Sequence, residues 1–242
     1  MCTVERRGNV FILTLTANDD HRLNPPLIYS ILTALSEVKA NATTGSVLIT
    51  TNNGDNFSNG FDLPWALAAG TLDGARDRLN HIIDIFRPVV AQLLSLRMPT
   101  IAAISGDAAA AGLALAVSHD YLIMRSDLGS LFMREIDLGL TLPDYFAALF
   151  KSKMGSTSVQ RDLILRGMKL SGEAAVRRGI VESAHDGAGG LMTAALQFGE
   201  QLAAKKWDGE AYAEIRKGLY PEITGVLGLP TKVMTISKLP QL

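Results

Sequence analysis

The sequence has a single cysteine, Cys2, among 242 residues. One cysteine excludes a disulfide within the chain, and low cysteine usage is typical of proteins in a reducing compartment. The four histidines, His21, His81, His119 and His185, are scattered without the close spacing of metal ligands. The sequence therefore predicts neither a disulfide framework nor a metal site.

Excess charge and long apolar runs are also absent. The formal net charge is −1 and no basic run is longer than Lys205-Lys206, so nucleic acid is not an expected partner. The longest apolar runs, such as residues 108–117, are too short to cross a bilayer. The apolar block at residues 10–15, which follows two arginines, is too short for a secretory signal.

What the sequence does contain is an alternation of strand and helix patterns, with 48% apolar residues to form one large core. Apolar and β-branched residues concentrate in short segments that we interpret as strands, at residues 3–6, 10–15, 46–51, 101–104 and 121–125. A helix is predicted between the second and third, because Asn24 is a good N-cap before two prolines and the apolar repeat continues to near Asn41. Strand, helix and strand in succession indicate parallel βαβ units.

The second half of the chain is predicted to be mainly helical. A long helix is predicted at about residues 76–96, with Pro88 expected to kink or split it. After Pro143 the patterns predict a short strand at residues 180–183 and helices at residues 144–153, 157–166, 171–178, 191–206 and 210–217, with a last one near the C-terminus. We interpret residues 1–190 as an α/β core and residues 191–242 as a C-terminal helical region.

Residues 101–120 form the stretch around which the chain is organised. A buried-strand pattern there turns into an alanine-rich helix, and almost every side chain is small. The start of a helix offers unpaired backbone N–H groups, and small side chains let a partner approach the backbone closely. The alternative is a small-residue helix packed on a sheet, and this segment alone does not decide between the two.

Two further segments contain residues that could support chemistry. In residues 57–63, Gly60 permits an unusual backbone angle, so the N–H of Phe61 can face outward. In residues 132–139, Glu135 is an acid with apolar neighbours, namely Leu131, Phe132, Ile136 and Leu138. A carboxylate in apolar surroundings tends to have a raised pKa, which suits proton transfer. Taken alone, a glutamate in such a segment is more often a solvated loop charge.

Together and in this order, these segments resemble the crotonase superfamily, the enoyl-CoA hydratases and isomerases. The resemblance runs from about residue 3 to residue 206 and rests on Leu23-Asn24 and on residues 57–63, 101–125, 135–139 and 170–181. It implies an α/β fold, a crotonase-type spiral of repeated ββα units with a helical C-terminal region.

The resemblance also implies a binding site for an acyl-CoA. In the family the thioester oxygen lies between two backbone N–H groups, which here fall on Phe61 and Ala111. The positions that contact CoA fall on His21, Arg22, Asn59 and Leu63. No metal or separate cofactor is implied, since CoA arrives as part of the substrate. Two departures are that alanines stand at positions 110 and 111, where glycines are usual, and Ser105 where asparagine is usual.

The acidic residues decide which reaction the resemblance implies. Hydration needs two carboxylates that hold one water, but one of those positions is Ala114, and only the other, Glu135, is acidic. A single glutamate is similar to the isomerase branch, in which one base removes the C2 proton of a 3-enoyl-CoA and returns a proton at C4. Asp137 and Asp144 are rival acids, but neither matches the family's catalytic position. A hydratase or hydrolase of the same family, or a non-catalytic acyl-CoA-binding protein, remains an alternative.

Assembly and location are further expectations. Family members form trimers, often paired into hexamers, and the apolar residues after Pro143 predict such an interface: Phe146, Leu149, Phe150, Leu163 and Leu165. Ser237-Lys238-Leu239 matches a peroxisomal address, although three residues follow it and the address is read only at the extreme C-terminus. We therefore predict a homotrimer or hexamer in the peroxisome, with the cytoplasm as the alternative.

Overall fold

The structure, a computed structural model, describes residues 1–232 of the chain. Its larger sheet has six strands in the order β1-β2-β3-β5-β7-β10. These strands are β1 (Cys2–Arg7), β2 (Val10–Leu15), β3 (Val47–Asn52), β5 (Thr100–Ile104), β7 (Tyr121–Arg125) and β10 (Ser183–His185). The smaller sheet, in the order β4-β6-β8-β9, consists of β4 (Asn56–Ser58), β6 (Asp107–Ala109), β8 (Ser130–Phe132) and β9 (Leu170–Ser171). Neighbouring strands are parallel except in the pairs β1–β2 and β8–β9.

Eleven helices lie within the described residues. They are α1 (Pro25–Ala40), α2 (Leu63–Leu67), α3 (Leu72–Ser95), α4 (Ala111–Val117), α5 (Glu135–Leu138), α6 (Asp144–Lys153), α7 (Thr157–Gln160), α8 (Gly172–Arg177), α9 (Gly187–Ala204), α10 (Gly209–Leu219) and α11 (Pro221–Val226). A π-helical turn, Arg161–Leu165, continues α7.

The strands and helices repeat as ββα units. In three successive units the first strand (β3, β5 or β7) joins the larger sheet and the second (β4, β6 or β8) joins the smaller one, before the chain enters a helix. The sequence-based prediction of an α/β spiral of repeated ββα units is thereby confirmed. The consequence for function is that the ends of the short strands β4, β6 and β8 come together beside one another.

The core has two layers, one on each face of the larger sheet. Alternate residues of a strand face opposite sides, so Phe11, Leu13 and Leu15 of β2 pack with α1 and α3, whereas Val10 and Ile12 pack with α9. Gly199 of α9 faces the sheet, and a Cβ there would lie in ordinary contact, 3.4 Å from Ile49 Cδ1.

Several predicted boundaries need correction. α3 begins at Leu72, capped by Thr71, and continues through Pro88 without a break. Pro88 is on the exposed face of the helix, where the carbonyl that loses its partner can be hydrated. The predicted strand at 180–183 is instead β10, and the predicted helix at 157–166 ends as the π-helical turn.

The predicted division at residue 190 falls inside α9, which begins at Gly187 and packs on the larger sheet. α9 therefore belongs to the core layer, and a separate helical region starts only after it.

The predicted interface residues also need correction, because four of the five are buried inside the protomer. Phe146, Leu149, Phe150 and Leu163 are each 0% exposed. Of that group only Leu165 is exposed, at 66%. The apolar residues of α10, such as Ile215 and Leu219 at 71% and 65%, are better candidates for an interface.

Candidate active site

The candidate site is a cavity of about 370 Å³ between the start of α4, the N-terminal half of α3, and α5 with the loop that follows it. Five of the seven predicted site residues line it, namely Arg22, Asn59, Phe61, Leu63 and Glu135. Most residues that line the cavity are apolar and a few are polar, which is the usual composition of a small-molecule site.

The Phe61 amide is left without a partner by the way its neighbours pair. Leu23 and Phe61 form a parallel bridge in which the Leu23 amide donates to the Gly60 carbonyl (2.8 Å) and the Asp62 amide donates to the Leu23 carbonyl (3.1 Å). In a parallel bridge, one residue forms both hydrogen bonds, and the residue opposite it directs its own N–H away from the partner strand. Here Leu23 forms both bonds and Phe61 is the residue opposite it. Among the hydrogen bonds within residues 1–232, none has the Phe61 amide as donor.

The Ala111 amide is also unused within the described residues, because Ala111 is the first residue of α4 and the first amides of a helix have no acceptor inside it. The sequence placed the start of this helix directly after a strand, whereas β6 intervenes. Ala111 itself is fully buried and does not line the cavity; Ala110, one residue earlier, does.

Two glycines hold these two segments in contact. A Cβ on Gly60, whose φ is +80°, would lie 3.3 Å from the Ala111 nitrogen. A Cβ on Gly112 would lie 2.1 Å from the Ser58 carbonyl oxygen. Because no side chain fits at either position, the amides of Phe61 and Ala111 are held close together by backbone packing alone.

Glu135 faces the cavity from the first residue of α5. Its Oε2 accepts a hydrogen bond from the Arg134 amide at 3.0 Å, and the side chain forms no salt bridge within residues 1–232. Burial raises the pKa of this carboxyl above its ordinary 4.5, and the backbone hydrogen bond opposes that shift only in part. A carboxylate with these properties is a candidate general base.

The apolar surroundings of Glu135 match the predicted ones only in part. Ile136 is 53% exposed, so this sequence neighbour does not form the pocket. Of the predicted neighbours, Leu138 does line the cavity with Glu135. Distant segments add the rest of the apolar wall, including Phe61, Ile83 and Phe146. The rings of Phe61 and Phe146 stack with centroids 5.9 Å apart, and Phe86 packs edge-on against both.

The rival acids have other environments. Asp144 pairs with Arg87 at 2.5 Å and accepts a hydrogen bond from the Tyr145 amide, and Asp137 is exposed. Neither lines the cavity. Ala114, where a second acid would stand in a hydratase, is fully buried in α4.

His21 is the predicted contact that the structure places away from the cavity. Its ring is fully buried, with Nδ1 2.8 Å from the Asn56 carbonyl oxygen, and burial lowers its pKa. The Ser58 hydroxyl donates to the His21 carbonyl at 2.8 Å. The ring thus supports the loop that precedes Phe61, and a direct contact of this ring with CoA remains only a prediction.

Asp20 is a site-forming residue that the sequence-based reasoning missed. Its carboxylate accepts hydrogen bonds from Asn59 Nδ2 at 2.9 Å and from Arg22 Nε at 3.0 Å, so it orients both predicted CoA contacts. These two donors, Asn59 above all, hold the pKa of Asp20 below its usual range. A charge beside His21-Arg22 was the only signal available in the sequence. Asn80, a polar residue of α3 on the cavity wall, was also missed.

A polar groove of about 410 Å³ adjoins the cavity and shares Arg22, Asn59 and Arg134 with it. Lys169 adds a further cation to the groove, with its Nζ 4.4 Å from the centroid of the Phe132 ring. The groove also contains the carboxylates of Asp107 and Asp137. An apolar cavity beside a groove with three cations fits a ligand that is apolar at one end and anionic at the other.

Within residues 1–232, no three or more His, Cys, Asp or Glu side chains are grouped so that they could hold a metal ion. Over the same residues, every helix is too short or too polar to cross a membrane. The tripeptide Ser237-Lys238-Leu239 lies outside the described residues.

Comparisons with known proteins agree with this geometry. Residues 5–227 match the family model described as enoyl-CoA hydratase/isomerase. The chain is 55% identical over 240 residues to enoyl-CoA delta isomerase 2, peroxisomal, of Arabidopsis thaliana, covering 99% of this chain and 100% of the relative. It is also 55% identical to enoyl-CoA delta isomerase 3 of the same plant, covering 95% and 96% of the two chains.

Among solved structures, the apo structure of the Mtb enoyl-CoA isomerase superposes with a TM-score of 0.80 at 19% identity. It covers 94% of this chain and 96% of the other. At that identity the likeness concerns the fold alone.

Proposed function

The chain belongs to the enoyl-CoA hydratase/isomerase family, and we propose that it is an enoyl-CoA delta isomerase. It moves the double bond of a 3-enoyl-CoA to the 2-trans position, a step in the β-oxidation of unsaturated fatty acids. The observation that carries this proposal is the carboxylate of Glu135 in the cavity that Phe61 also lines. It is the one acid in that lining, and within residues 1–232 it has no salt bridge. The identity to Arabidopsis proteins named enoyl-CoA delta isomerases supports it.

In the proposed mechanism the thioester oxygen accepts hydrogen bonds from the Phe61 and Ala111 amides. Glu135 removes the C2 proton, and the electron pair delocalises into a dienolate whose negative charge collects on that oxygen. Glu135 then returns the proton to C4, which leaves the double bond between C2 and C3. Donors fixed in advance at the developing charge typically contribute about 3–4 kcal/mol each to lowering the barrier.

The environment of Glu135 supports its role as the base. Because burial raises its pKa, the carboxylate is a stronger base than an exposed glutamate and its conjugate acid is still acidic enough to return the proton. The hydrogen bond from the Arg134 amide (3.0 Å) orients the carboxylate and leaves lone pairs for the substrate. No cation pairs with it within residues 1–232.

The absence of a second acid favours isomerisation over hydration. Hydration requires a water held between two carboxylates, and Ala114 offers none. Neither Asp137 nor Asp144 lines the cavity. A single base can take a proton at C2 and return it at C4 while apolar side chains exclude water.

We propose that the polar groove binds the charged end of CoA. Arg22 and Asn59, oriented by Asp20, lie where the cavity and the groove meet. Leu63 contacts CoA at the mouth of the cavity. Proton transfer of this kind needs no metal or separate cofactor, because CoA is part of the substrate.

Assembly and location complete the proposal. A homotrimer, or a hexamer of two trimers, would cover the exposed apolar residues Ile215 and Leu219 of α10. Light scattering at micromolar concentration would exclude this assembly if it gave the mass of a monomer.

The peroxisome is the proposed location, on the strength of relatives named peroxisomal, and a fluorescent fusion with a native C-terminus would test it.

The deciding experiment adds purified protein to 3-hexenoyl-CoA and follows the absorbance of the conjugated enoyl thioester. We expect catalytic appearance of 2-trans-hexenoyl-CoA and no appreciable hydration of that product. Binding of saturated hexanoyl-CoA is measured in parallel. Binding without conjugation would overturn the isomerase proposal in favour of an acyl-CoA-binding protein, and rapid hydration would favour a hydratase.

A further inference from the structure

Ala110 has a backbone conformation that is unusual for a residue with a side chain. Its φ is +53° and its ψ is −122°, and it is one of three non-glycine residues with positive φ in residues 1–232. An L-residue in this region is strained, because its Cβ crowds the backbone, whereas glycine adopts the region freely. Strain of this kind concentrates at functional sites.

The methyl group of Ala110 lies where the two segments that carry the Phe61 and Ala111 amides meet. Ala110 directly precedes Ala111, and a Cβ placed on Gly60, which directly precedes Phe61, would lie only 2.9 Å from this methyl group. Ala110 also lines the cavity in which Glu135 lies. A thioester bound by both amides would therefore contact this methyl group.

The backbone around Ala110 is fixed, so the methyl group cannot move aside easily. The Ala110 amide donates to the Phe132 carbonyl at 2.9 Å, and the Ala110 carbonyl accepts from the Ala114 amide at 3.1 Å. One side of Ala110 is thereby bound to β8 and the other to α4. Close-packed interiors tolerate an extra methyl group poorly when the backbone cannot relax.

We propose that the Ala110 methyl group selects acyl groups that are unbranched at carbon 2. In a substrate held by the Phe61 and Ala111 amides, carbon 2 is bonded to the thioester carbonyl carbon and lies next to this methyl group. A methyl branch at carbon 2 would meet the Ala110 methyl group, whereas a CH₂ fits beside it. This inference rests on the proposed function, since it takes the acyl-CoA orientation from it.

The test compares Ala110→Gly with Ala109→Gly. Both variants remove one methyl group from adjacent residues, but Ala109 is buried in β6 and does not line the cavity. The affinity of each protein for hexanoyl-CoA and for 2-methylhexanoyl-CoA is measured by calorimetry. The parent should bind the straight-chain thioester more tightly than the 2-methyl thioester. In Ala110→Gly the ratio of the two affinities should be smaller by about tenfold or more, as expected for one methyl group in a pocket. Ala109→Gly should keep the parental preference.

The thermal midpoints of the two variants provide a second measurement. They show whether Ala110→Gly changes binding because the whole fold is destabilised. Ala110→Gly relieves the positive-φ strain, so its midpoint should equal or exceed that of the parent. Ala109→Gly introduces glycine into a strand and should lower the midpoint by roughly 2–4 °C. Equal affinity of the parent for the two thioesters, or an unchanged preference in Ala110→Gly, would overturn the proposal.

The affinity measurement separates this inference from the proposed function. If the parent protein prefers hexanoyl-CoA over its 2-methyl analogue but does not isomerise 3-hexenoyl-CoA, the proposed isomerase function is refuted. The proposed selection by the Ala110 methyl group is then retained. If the parent protein isomerises 3-hexenoyl-CoA and 2-methyl-3-hexenoyl-CoA equally well, the isomerase function is retained. The proposed selection by the Ala110 methyl group is then refuted. Failure to bind either saturated thioester would refute both.

Discussion

The two walls of the cavity are built in opposite ways. One, the backbone wall, consists of residues 57–63 and 110–112, and the other, the base wall, consists of residues 134–141. In the backbone wall Phe57 and Ser58 are 0% exposed, and no side chain fits at Gly60 or Gly112. In the base wall α5 has no buried residue, and a Cβ on Gly139 would have no neighbour within 4 Å.

This difference indicates that the backbone wall fixes the position of the substrate, whereas the base wall provides the reacting group. In the backbone wall the functional groups are amides, whose positions depend on the packing of all their neighbours. In the base wall the function depends on one carboxylate, and the residues around it can change with little effect on the fold. Substitutions in the two walls should therefore lower activity for different reasons. Four predictions test this contrast, in order from the largest expected effect to the smallest.

Glu135→Gln should have the largest effect on turnover. The amide keeps the size of the side chain but cannot accept the C2 proton, so the rate of isomerisation should fall about 10²–10⁴-fold or more. The affinity for hexanoyl-CoA should change little, because the carboxylate acts on the proton and not on the CoA. Initial rates with 3-hexenoyl-CoA and calorimetric affinities measure the two effects.

Asp137→Asn is the control for that variant, since Asp137 is an acid of the same helix that does not line the cavity. Its rate should stay within a few-fold of the parent. Near-parental isomerisation by a folded Glu135→Gln protein would show that the single-glutamate mechanism is wrong.

Gly60→Ala and Gly139→Ala test the backbone wall against the base wall. Both glycines have positive φ, +80° and +66°, so both variants carry a similar conformational cost of about 1–2 kcal/mol. Only the Gly60 variant adds a clash, because its Cβ would lie 2.9 Å from Ala110 Cβ and 3.0 Å from the Ala109 carbonyl oxygen. Displacement of one oxyanion donor should lower kcat about 10²–10³-fold in Gly60→Ala.

In Gly139→Ala the rate should fall only a few-fold, with a similar thermal midpoint to that of Gly60→Ala or a higher one. Rates measured on samples of matched folded fraction separate loss of geometry from loss of fold. Equal losses of kcat in the two variants would contradict the distinction between the walls.

The pH dependence of stability should reveal the partly buried charge of Glu135. Because the folded-state pKa of this carboxyl is raised above its ordinary 4.5, folding favours its protonated form. The resulting contribution to stability is fully present below the unfolded pKa and is lost as the pH rises through the folded pKa. Glu135→Gln, which cannot ionise, should therefore have a higher thermal midpoint than the parent at pH 7.5.

At pH 4 the parent and Glu135→Gln should have nearly equal midpoints, since the carboxyl is then mostly protonated in both states of the parent. Thermal unfolding of both proteins from pH 4 to pH 8 measures the difference. A midpoint difference that does not vary with pH would mean that Glu135 ionises as easily in the folded protein as in the unfolded chain.

Ile136→Ser should have the smallest effect. Ile136 is 53% exposed and does not line the cavity, so its replacement should change the free energy of unfolding by no more than about 0.5 kcal/mol. Denaturant unfolding measures that change, and the rate with 3-hexenoyl-CoA should remain parental. A loss of several kcal/mol would indicate that the base wall is packed as tightly as the backbone wall.

The parts of the fold that sequence predicted well are those with a local physical signal. The cap at Asn24 is present, with its side chain accepting from the Leu27 amide at 3.1 Å. The helix predicted from residue 171 is present as α8, with Ser171 as its cap. Helix periodicity and β-branched runs located α1, β2 and β7. The short strands β4, β6 and β8 were missed, because three residues are too few to show a period and Ala109 has low strand propensity.

For the site, the sequence by itself determined which groups are available: one acid among small and apolar residues, an alanine where a second acid would stand, and glycines where two segments must touch. Only the tertiary structure decided which of these meet. Of the apolar side chains that line the cavity with Glu135, Leu138 is a neighbour in sequence, but Ile83 and Phe146 are about 50 and 10 residues away. Asp20 orients Arg22 and Asn59 through hydrogen bonds. Local patterns carry no information on such contacts, because burial and pKa depend on the three-dimensional packing of segments that are distant in sequence.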